Sequence, residues 1–369
     1  MNRNEHIKVM ISGGGTGGHI FPALAIARAI QAMLPEAEFL FVGAKGKMEM
    51  EKVPEAGYPI KGLWISGFQR KLTVQNLSFP IKLISSLWKA RSIIKKFKPN
   101  VVVGVGGFAS GPTLKMAANL GIPCLIQEQN SYPGVTNKLL ATQVEKICVA
   151  YEGMEKYFPK KKIILTGNPI RKHIIDITDK REEALKYFDL EKDKKNILIV
   201  GGSLGAQSIN RAVLAHLKEW SELPVQLIWQ TGKTGIQEAL QSVDDLGKSN
   251  IRVHTFIKKM DLAYAAADII ISRAGAIAIS EISAVGKPVV FIPFPHAAED
   301  HQTKNAQRLV NKNAALMIAD PEVKDQLLPL IHKIMRKDDV LQNMAKEIKK
   351  FGITDADNRI AEEVIKISK

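Results

Sequence analysis

Short runs of apolar residues alternate along the chain with longer segments in which apolar positions recur every three to four residues. In the first half, the runs lie at 7–12, 38–43, 101–106, 123–128, 146–150 and 162–167. Continuous apolar runs of this length predict buried parallel strands, and the segments between them predict helices. We therefore expect a parallel sheet with helices on both faces.

The same pattern restarts after the turn-forming stretch GNPIR at 167–171. Further strands are predicted within 196–206, 225–232, 251–257, 268–275, 288–295 and 314–319. A length of 369 residues also suits two domains rather than one. We predict an α/β protein with domains at 1–168 and 169–354, and a ligand in the cleft between them.

Composition narrows the class of protein. The hydrophobic content is 46%, which is ordinary for a globular protein. No apolar run reaches the roughly 18 residues of a membrane-spanning helix, and the N-terminus lacks the apolar core of a signal peptide. We expect a cytoplasmic protein whose Cys124 and Cys148, both in strand-like stretches, are reduced core residues.

The net charge of +15 is unevenly distributed. Between Glu55 and Glu128 there are ten Lys or Arg residues and no Asp or Glu, and many of the cations lie on a predicted helix, FPIKLISSLWKARSIIKKFKPN. The basic face of this predicted helix is either simply solvated or in contact with a polyanion. Because apolar residues such as Trp88 are interleaved with the lysines, an anionic lipid surface is favoured over nucleic acid. The solvated face and the lipid contact both remain open.

Three glycine-rich turns follow predicted strands, at 13–18, 104–112 and 201–208, and a fourth candidate lies at 272–276. Glycine permits a tight turn and lets backbone amides approach a ligand. The start of the following helix favours an anion. Several such loops in one chain are typical of a site for a diphosphate or a sugar phosphate.

Residues 13–18 spell G-x-G-x-x-G, the fingerprint of dinucleotide-binding proteins. That site also requires an acidic residue at the end of the second strand, to hold the ribose. Residues 43–45 of this chain, GAK, offer none. A nicotinamide dehydrogenase is therefore disfavoured. A P-loop is excluded as well, because His19 and Ile20 stand where Lys and Ser or Thr are needed.

The sequence DAD at 355–357 has the form of a metal-binding Asp-x-Asp motif. It precedes a predicted helix, and Thr354 and Asp357 have the spacing of a capping box. We interpret Asp357 as a helix N-cap and predict no metal site.

Seven sequence blocks, taken together, resemble one enzyme family. They are SGGGTGGHIFPALAIA, GVGGFASGP, IQEQNSYPGVTNK, LTGNPIR, GGSLGAQSIN, ISRAGAIAISE and PFPHAAEDHQTKNA. Their order and content are similar to those of the bacterial MurG family of glycosyltransferases. The blocks run from residue 12 to about residue 306 and so cover most of the chain.

The resemblance implies a GT-B fold, two Rossmann-like domains facing across a cleft, with the last helix, 355–369, packing back on the first domain. It implies an inverting transfer of N-acetylglucosamine from UDP-N-acetylglucosamine to undecaprenyl-diphosphate-N-acetylmuramyl-pentapeptide, the conversion of lipid I to lipid II in peptidoglycan synthesis. The second domain would bind the nucleotide sugar and the first the lipid-linked acceptor. No metal or other cofactor and no nucleic acid would take part.

The resemblance also implies a peripheral protein that lies on the cytoplasmic face of the cell membrane and contacts its anionic surface. Other enzymes of the same fold remain alternatives, such as a glycolipid synthase or a UDP-sugar epimerase. A non-catalytic nucleotide-binding or lipid-surface module is a further alternative.

Site residues follow from the resemblance where the motifs match. Arg171 and Ser203 would contact the diphosphate, Ile257 the uracil through its backbone, Glu281 the ribose hydroxyls, and Gln302 the sugar. The remaining residues would contact the nucleotide or the transferred sugar. They are Thr16, Gly17, Gly18, Asn130, Ala276, Ile277, Ala278, Ile279 and Ser280.

A sugar hydroxyl is a weak nucleophile, so a general base is expected. His19 lies in the first glycine loop, and an imidazole has a suitable intrinsic pKa. The start of a helix keeps the ring neutral and able to accept a proton. Glu128, near Asn130, is the second candidate.

Overall fold

The structure, a computed structural model, describes residues 6–67, 78–202, 205–247 and 249–369. The chain divides into two compact units. The first consists of Met1–Ile170 and Thr354–Lys369, and the second of Arg171–Ile353. The division falls beside the boundary expected after residue 168, and the last residues belong to the first unit.

Each unit contains one parallel β-sheet. The strands of the first unit are β1 (Lys8–Ser12), β2 (Glu38–Ala44), β3 (Ile60–Leu63), β4 (Val101–Gly104), β5 (Cys124–Glu128), β6 (Lys146–Val149) and β7 (Ile163–Leu165). Those of the second unit are β8 (Lys195–Val200), β9 (Val225–Gln230), β10 (Ile251–His254), β11 (Ile269–Ser272), β12 (Val289–Phe291) and β13 (Leu316–Met317). The orders are β3-β2-β1-β4-β5-β6-β7 and β10-β9-β8-β11-β12-β13. Both are doubly wound, Rossmann-like arrangements, which confirms the predicted fold class.

Helices connect the strands. In chain order they are α1 (Gly17–Met33), α2 (Glu49–Glu55), α3 (Phe79–Phe97), α4 (Ser110–Asn119), α5 (Val135–Leu140), α6 (Lys172–Ile175), α7 (Arg181–Tyr187), α8 (Gln207–Ala215), α9 (Leu217–Glu222), α10 (Ile236–Asp244), α11 (Met260–Ala266), α12 (Ala276–Val285), α13 (His301–Val310), α14 (Val323–Ile334), α15 (Asp338–Lys349) and α16 (Ala356–Ile367). Most of these helices are the crossover connections that join parallel strands of one sheet, whereas only short 3-10 turns join β6 to β7.

The central strands are buried on both faces, as their continuous apolar runs predict. Val9 and Ile11 of β1 face one core, which contains α1 and α16, whereas Met10 faces another beneath α3 and α4. Successive residues of a strand point to opposite faces, so one strand contributes to both cores. Cys124 and Cys148 are buried free thiols, and burial raises the pKa of each to about 12.

Two details differ from the sequence predictions. The edge strand β3 was not predicted, because its exposed Lys61 interrupts the apolar pattern. The N-cap of α16 is Asp355 and not Asp357, and no side chain caps the helix. Instead, Asp355 accepts a hydrogen bond from Arg359 Nε at 2.9 Å.

Candidate active site

The glycine-rich loops follow the strands at which the strand order reverses. β1 and β4 are neighbours in the first sheet, and β8 and β11 are neighbours in the second, although each pair is separated in sequence. Connections leave such a pair in opposite directions, and the crevice at the carboxyl ends is where α/β proteins bind ligands. The loops at 13–18, 104–112 and 272–276, and the described residues 201–202 and 205–208 of the remaining loop, follow these four strands. The fold therefore places each of them at the ligand-binding edge of its own sheet.

Three loops of the first unit are joined by hydrogen bonds at this edge. The amide of Gly14 donates to the carbonyl of Gly106 at 3.3 Å. Gln129 Nε2, in the loop after β5, donates to the carbonyl of Val105 at 2.7 Å. The loop that leads into α1, which carries His19, and the loop that follows Glu128 are thus held to the same central loop.

The first turn of α1 contains four predicted site residues. Thr16 is the N-cap, and its side chain is exposed and makes no capping bond, while Gly17 and Gly18 begin the helix. His19 Nδ1 lies 3.0 Å from the carbonyl oxygen of Gly14. A carbonyl only accepts, so this contact is a hydrogen bond when Nδ1 carries the hydrogen, and the basic lone pair of the neutral ring is then on Nε2. The Thr16 hydroxyl, 3.4 Å from Nδ1, can accept from the same N–H.

The ring of His19 occupies space that a side chain at position 106 would take. A Cβ added to Gly106 would lie 2.9 Å from His19 Nε2 and 2.8 Å from Cδ2. The φ of Gly106 is also +91°, a conformation that favours glycine. The second glycine loop therefore fixes the position of the candidate base in addition to presenting amides.

Glu128, the second candidate base, is buried at the end of β5 and only 2% exposed. Oε1 accepts from the backbone amide of Asn130 at 3.0 Å and from its side-chain amide at 3.3 Å. Oε2 accepts from the amide of Gly134 at 3.2 Å and from Asn137 Nδ2 at 2.8 Å. Burial raises the pKa of Glu128, while these donors lower it. The carboxylate shapes the loop that carries Asn130.

Glu49, which the sequence analysis did not select, lies in the corner where a dinucleotide-binding protein keeps its acidic residue. It is 1% exposed. Its Oε2 accepts from the amide of Gly15 at 2.8 Å, and its Oε1 from the amide of Ala44 at 2.9 Å. The carboxylate thus bonds to the glycine loop itself. Residues 43–45 contain no acidic residue, as the sequence analysis states. Glu49, six residues beyond Gly43, nevertheless reaches the same corner.

In the second unit, α12 begins at Ala276 after the N-cap Gly275, as the resemblance implies. Its first amides have no partner within the helix, so its start favours an anion. Ala276, Ile277 and Ala278 are partly exposed there and Ile279 is buried. Ser280 Oγ donates to the carbonyl of Ala276 at 3.0 Å.

Arg171 and Glu281, which the resemblance assigns to the diphosphate and the ribose, are bonded to each other. Arg171 Nε donates to Glu281 Oε1 at 3.1 Å, and Nη2 donates to Oε2 at 3.3 Å. The Tyr264 hydroxyl lies 3.4 Å from Oε2. Burial raises the pKa of Glu281, and the charge of Arg171 lowers it. The two predicted residues form one bidentate pair beneath the start of α12.

Arg273, also absent from the sequence predictions, cross-links the loops of the second sheet. Its guanidinium donates to the carbonyls of Ile292 at 3.0 Å and Pro293 at 3.2 Å, and to Ser208 Oγ at 2.8 Å. It also forms an ion pair with Asp320. This side chain holds the loop after β12 and the start of α8 around the loop after β11.

The remaining predicted contacts of the second unit lie at its other loops. The backbone amide of Ile257 donates to Gln230 Oε1 at 2.8 Å. The backbone group of Ile257 that could bond to a uracil ring is therefore its carbonyl, as an acceptor. Gln302 Oε1 accepts from the amide of Phe294 at 2.9 Å, a bond that uses the oxygen and not the N–H donors of the same side chain. Ser203 lies outside the described residues.

No group of three His, Cys, Asp or Glu side chains suited to a metal ion occurs in the described parts of the chain. Across the same residues, every helix is too short or too polar to span a bilayer.

Helix α3 carries most of the predicted basic segment. Its buried face contains Ser86, Ala90, Ile93 and Ile94. Its opposite face begins with Ile81, Ile84 and Trp88, which are 63%, 57% and 72% exposed. The same face continues with exposed Arg91 and Lys95, at the helical spacing. We call these five residues the outer face of α3.

Comparison with known proteins agrees with the motifs. Residues 9–149 match the glycosyltransferase family 28 N-terminal domain, and residues 196–360 match the glycosyltransferase family 28 C-terminal domain. The crystal structure of MurG from Acinetobacter baumannii is 29% identical, with a TM-score of 0.80 over 98% of this chain and 99% of that chain. A relative from Phocaeicola vulgatus is 55% identical over 365 residues, 99% of this chain and 97% of the relative. The chain belongs to the MurG family.

Two of the relatives carry the same name. The Phocaeicola vulgatus protein is a UDP-N-acetylglucosamine–N-acetylmuramyl-(pentapeptide) pyrophosphoryl-undecaprenol N-acetylglucosamine transferase. A relative from Flavobacterium psychrophilum has the same name and is 51% identical over 98% of each chain. The resemblance drawn from the seven sequence blocks is confirmed.

Proposed function

We propose that this chain transfers N-acetylglucosamine from UDP-N-acetylglucosamine to undecaprenyl-diphosphate-N-acetylmuramyl-pentapeptide, converting lipid I to lipid II. The observation that carries this is identity of 55% to a transferase of that name over 97% of the relative. A glycolipid synthase or an epimerase would share the fold but not this identity. The charged pair beneath α12 and the imidazole at the start of α1 supply the groups that the chemistry requires.

The second unit is assigned the nucleotide sugar. Arg171 and the first amides of α12 would stabilise the charge that develops on the departing diphosphate. Ser203, within the third glycine loop, is assigned to the same diphosphate by the resemblance. The carbonyl of Ile257 would accept the N–H of uracil. Glu281 would accept ribose hydroxyls on the lone pairs that Arg171 and Tyr264 leave.

Within each unit, further residues are assigned to the sugar. Gln302 presents its amide nitrogen as a hydrogen-bond donor to a sugar hydroxyl. Thr16, Gly17 and Gly18 offer a hydroxyl and backbone atoms from the first unit, and Asn130 an amide. These groups are all neutral, which suits an uncharged hexose.

In the transfer step, the acceptor hydroxyl attacks the anomeric carbon of N-acetylglucosamine. The new carbon–oxygen bond forms as the bond to the diphosphate oxygen breaks, and UDP leaves with that electron pair. The hydroxyl proton passes to His19 Nε2, the basic atom of the ring when Nδ1 donates to Gly14. Attack opposite the leaving group inverts the configuration.

His19 is favoured over Glu128 as the base. Both oxygens of Glu128 already accept hydrogen bonds, two each, from amide groups of its own loop and of Asn137 in α5. Protonation there would set an O–H against one of these donors. We assign Glu128 to the placement of Asn130 and the proton transfer to His19.

We also infer that the outer face of α3 contacts the cytoplasmic leaflet. An exposed Trp88 and two exposed isoleucines suit insertion at the acyl boundary, and the cations suit anionic headgroups. Each such cation contributes about 1 kcal/mol near an anionic surface. A purely solvated helix has no need of three large exposed apolar side chains on one face. This surface would bring the enzyme to its lipid-linked acceptor.

A transfer assay tests the activity. The purified chain is mixed with UDP-N-acetylglucosamine and a polyprenyl-diphosphate-muramyl-pentapeptide, and the disaccharide product is measured. We expect transfer with this donor, much less with UDP-glucose, and no loss with a metal chelator. Tight UDP binding without product would contradict the proposal and favour a binding module. Release of the epimerised sugar without acceptor would favour an epimerase.

A further inference from the structure

We propose that Glu49 is a positioning residue that holds His19 in the tautomer with its hydrogen on Nδ1. The consequence for turnover rests on the proposed role of His19 as the base. The consequence for the tautomer does not depend on it.

One peptide group connects the two side chains. The Gly14–Gly15 peptide offers its N–H, from Gly15, to Glu49 Oε2 at 2.8 Å. It offers its carbonyl, from Gly14, to His19 Nδ1 at 3.0 Å. The carboxylate and the imidazole therefore bond to opposite ends of the same planar unit, whose two polar groups are rigidly coupled.

The second carboxylate oxygen anchors this arrangement to the sheet. Glu49 Oε1 accepts from the amide of Ala44, the last residue of β2, at 2.9 Å. Glu49 cannot turn away without breaking that bond as well. The orientation of the peptide, and with it the direction of the Gly14 carbonyl, is set by a strand of the central sheet.

Two glycines leave room for this carboxylate. A Cβ at Gly14 would lie 2.2 Å from Glu49 Cδ, and a Cβ at Gly43 would lie 2.5 Å from Glu49 Cγ. Gly14 occupies a variable position of the G-x-G-x-x-G pattern, where a dinucleotide site has no need of glycine. Here the glycine is needed because Glu49 packs directly against it.

Electrostatics gives the arrangement its effect on the histidine. A carboxylate that accepts from an amide polarises the peptide, and its carbonyl becomes a stronger acceptor. A stronger acceptor at Gly14 favours the hydrogen on Nδ1 and leaves the lone pair on Nε2. A carboxylate that bonds directly to a catalytic imidazole has the same effect. In this chain, a peptide group lies between the two.

The first experiment is ¹⁵N NMR of the His19 ring in the unmodified protein, at a pH where the ring is neutral. We expect the Nδ1–H tautomer to predominate, and a predominant Nε2–H tautomer overturns the proposal without any variant. In Glu49→Gln, an amide cannot accept from both Gly15 and Ala44, so the Nε2–H fraction rises. Glu51→Gln, the same change at an exposed position of α2, is the matched control and leaves the tautomer unchanged.

Turnover supplies the second readout. Glu49→Gln is expected to lower kcat by about 10–100-fold, the effect of removing a group that orients a functional imidazole. KM for UDP-N-acetylglucosamine should change little, because its assigned contacts are mainly in the second unit. In a His19→Ala background, Glu49→Gln should cost nothing further, since the residue acts through His19.

The two proposals fail in different ways. If Glu49→Gln leaves the His19 tautomer unchanged, the positioning role is wrong, even where kcat falls. If the tautomer shifts but His19→Ala keeps normal turnover, the positioning role stands and the assignment of His19 as base is wrong. Additive losses in the double variant also contradict action through His19.

Discussion

The pair formed by Arg171 and Glu281 permits a quantitative test. In Arg171→Gln, the buried carboxylate of Glu281 loses both bonds from the guanidinium and retains the Tyr264 hydroxyl. Removing one partner leaves a charge with too few donors in a poorly solvated place, which costs more than the pair itself contributes. We expect local destabilisation of α12, the helix that carries Glu281.

The magnitude follows from exposure. The Glu281 side chain is 5% exposed, but that of Arg171 is 38% exposed. Hydrogen bonds to charged groups contribute about 1.5–3 kcal/mol when buried, whereas exposed ion pairs contribute about 0–1 kcal/mol. A bidentate pair with one solvated partner lies between these limits, at about 2 kcal/mol, which is about a 30-fold change in an opening equilibrium.

The loss should depend on pH. Burial raises the pKa of Glu281 in the folded chain, and Arg171 is the largest influence that lowers it. Without Arg171 this pKa rises further. A carboxyl whose pKa is higher in the folded chain than in the unfolded chain binds its proton more tightly when folded. The free energy of unfolding therefore falls as pH rises from the unfolded pKa of about 4.3 through the folded pKa. The deficit of Arg171→Gln is therefore larger at pH 8 than at pH 5.

Hydrogen exchange measured by mass spectrometry on α12 peptides provides the assay, corrected for the intrinsic effect of pH. Adding Glu281→Gln to Arg171→Gln should restore much of the protection. The matched control is Arg359→Gln on α16, whose partner Asp355 is exposed, and there we expect less than about 0.5 kcal/mol. An equal deficit at both pH values, or no rescue in the double variant, refutes the uncompensated-carboxylate explanation.

Three further predictions concern catalysis and the membrane. His19→Ala should lower turnover by about 10²–10⁴-fold while calorimetry finds UDP binding retained, and normal turnover removes His19 as the base. Gly106→Ala should displace the His19 ring and lower kcat, because its Cβ would lie 2.9 Å from Nε2; an unchanged kcat shows that the ring tolerates this contact. Charge reversal at Arg91 and Lys95, the two cations of the outer face of α3, should weaken sedimentation with anionic vesicles and spare activity on a soluble acceptor analogue. Equal charge reversal on lysines of the second unit is the control, and persistent vesicle binding contradicts the role of α3.

The sequence predicts the sheets well because their strands are buried on both faces. All four residues of β4, VVVG, are buried, and such a continuous apolar run is recognised without alternation. The edge strand β3 pairs with β2 alone and exposes Lys61, and it therefore resembles a loop in sequence. An edge position alone does not hide a strand, because the edge strands β7, β10 and β13 were predicted; β3 was missed because Lys61 interrupts its four residues.

The site residues divide in the same way. His19 was recognised because it stands inside a glycine loop, which is a local signal. Glu49 acts on that loop from 34 residues away, and Arg273 pairs with Asp320 across 47 residues. No spacing rule connects positions that only the fold brings together. Arg171 and Glu281 were each selected, but their mutual bond across 110 residues was not.

The return of α16 to the first unit affects the order in which the chain can fold during synthesis. Ile360 and Val364 of α16 pack in the same core as Ile26 and Ile30 of α1. At about 5–20 residues per second, a ribosome takes about 10–40 s to pass through the second unit. During that time α1 has been synthesised, but α16, which packs against it, has not. The second unit, Arg171–Ile353, is contiguous in sequence and is fully synthesised before α16 emerges. The second unit can thus finish folding first, and a nascent first unit has an open apolar face that a chaperone would recognise.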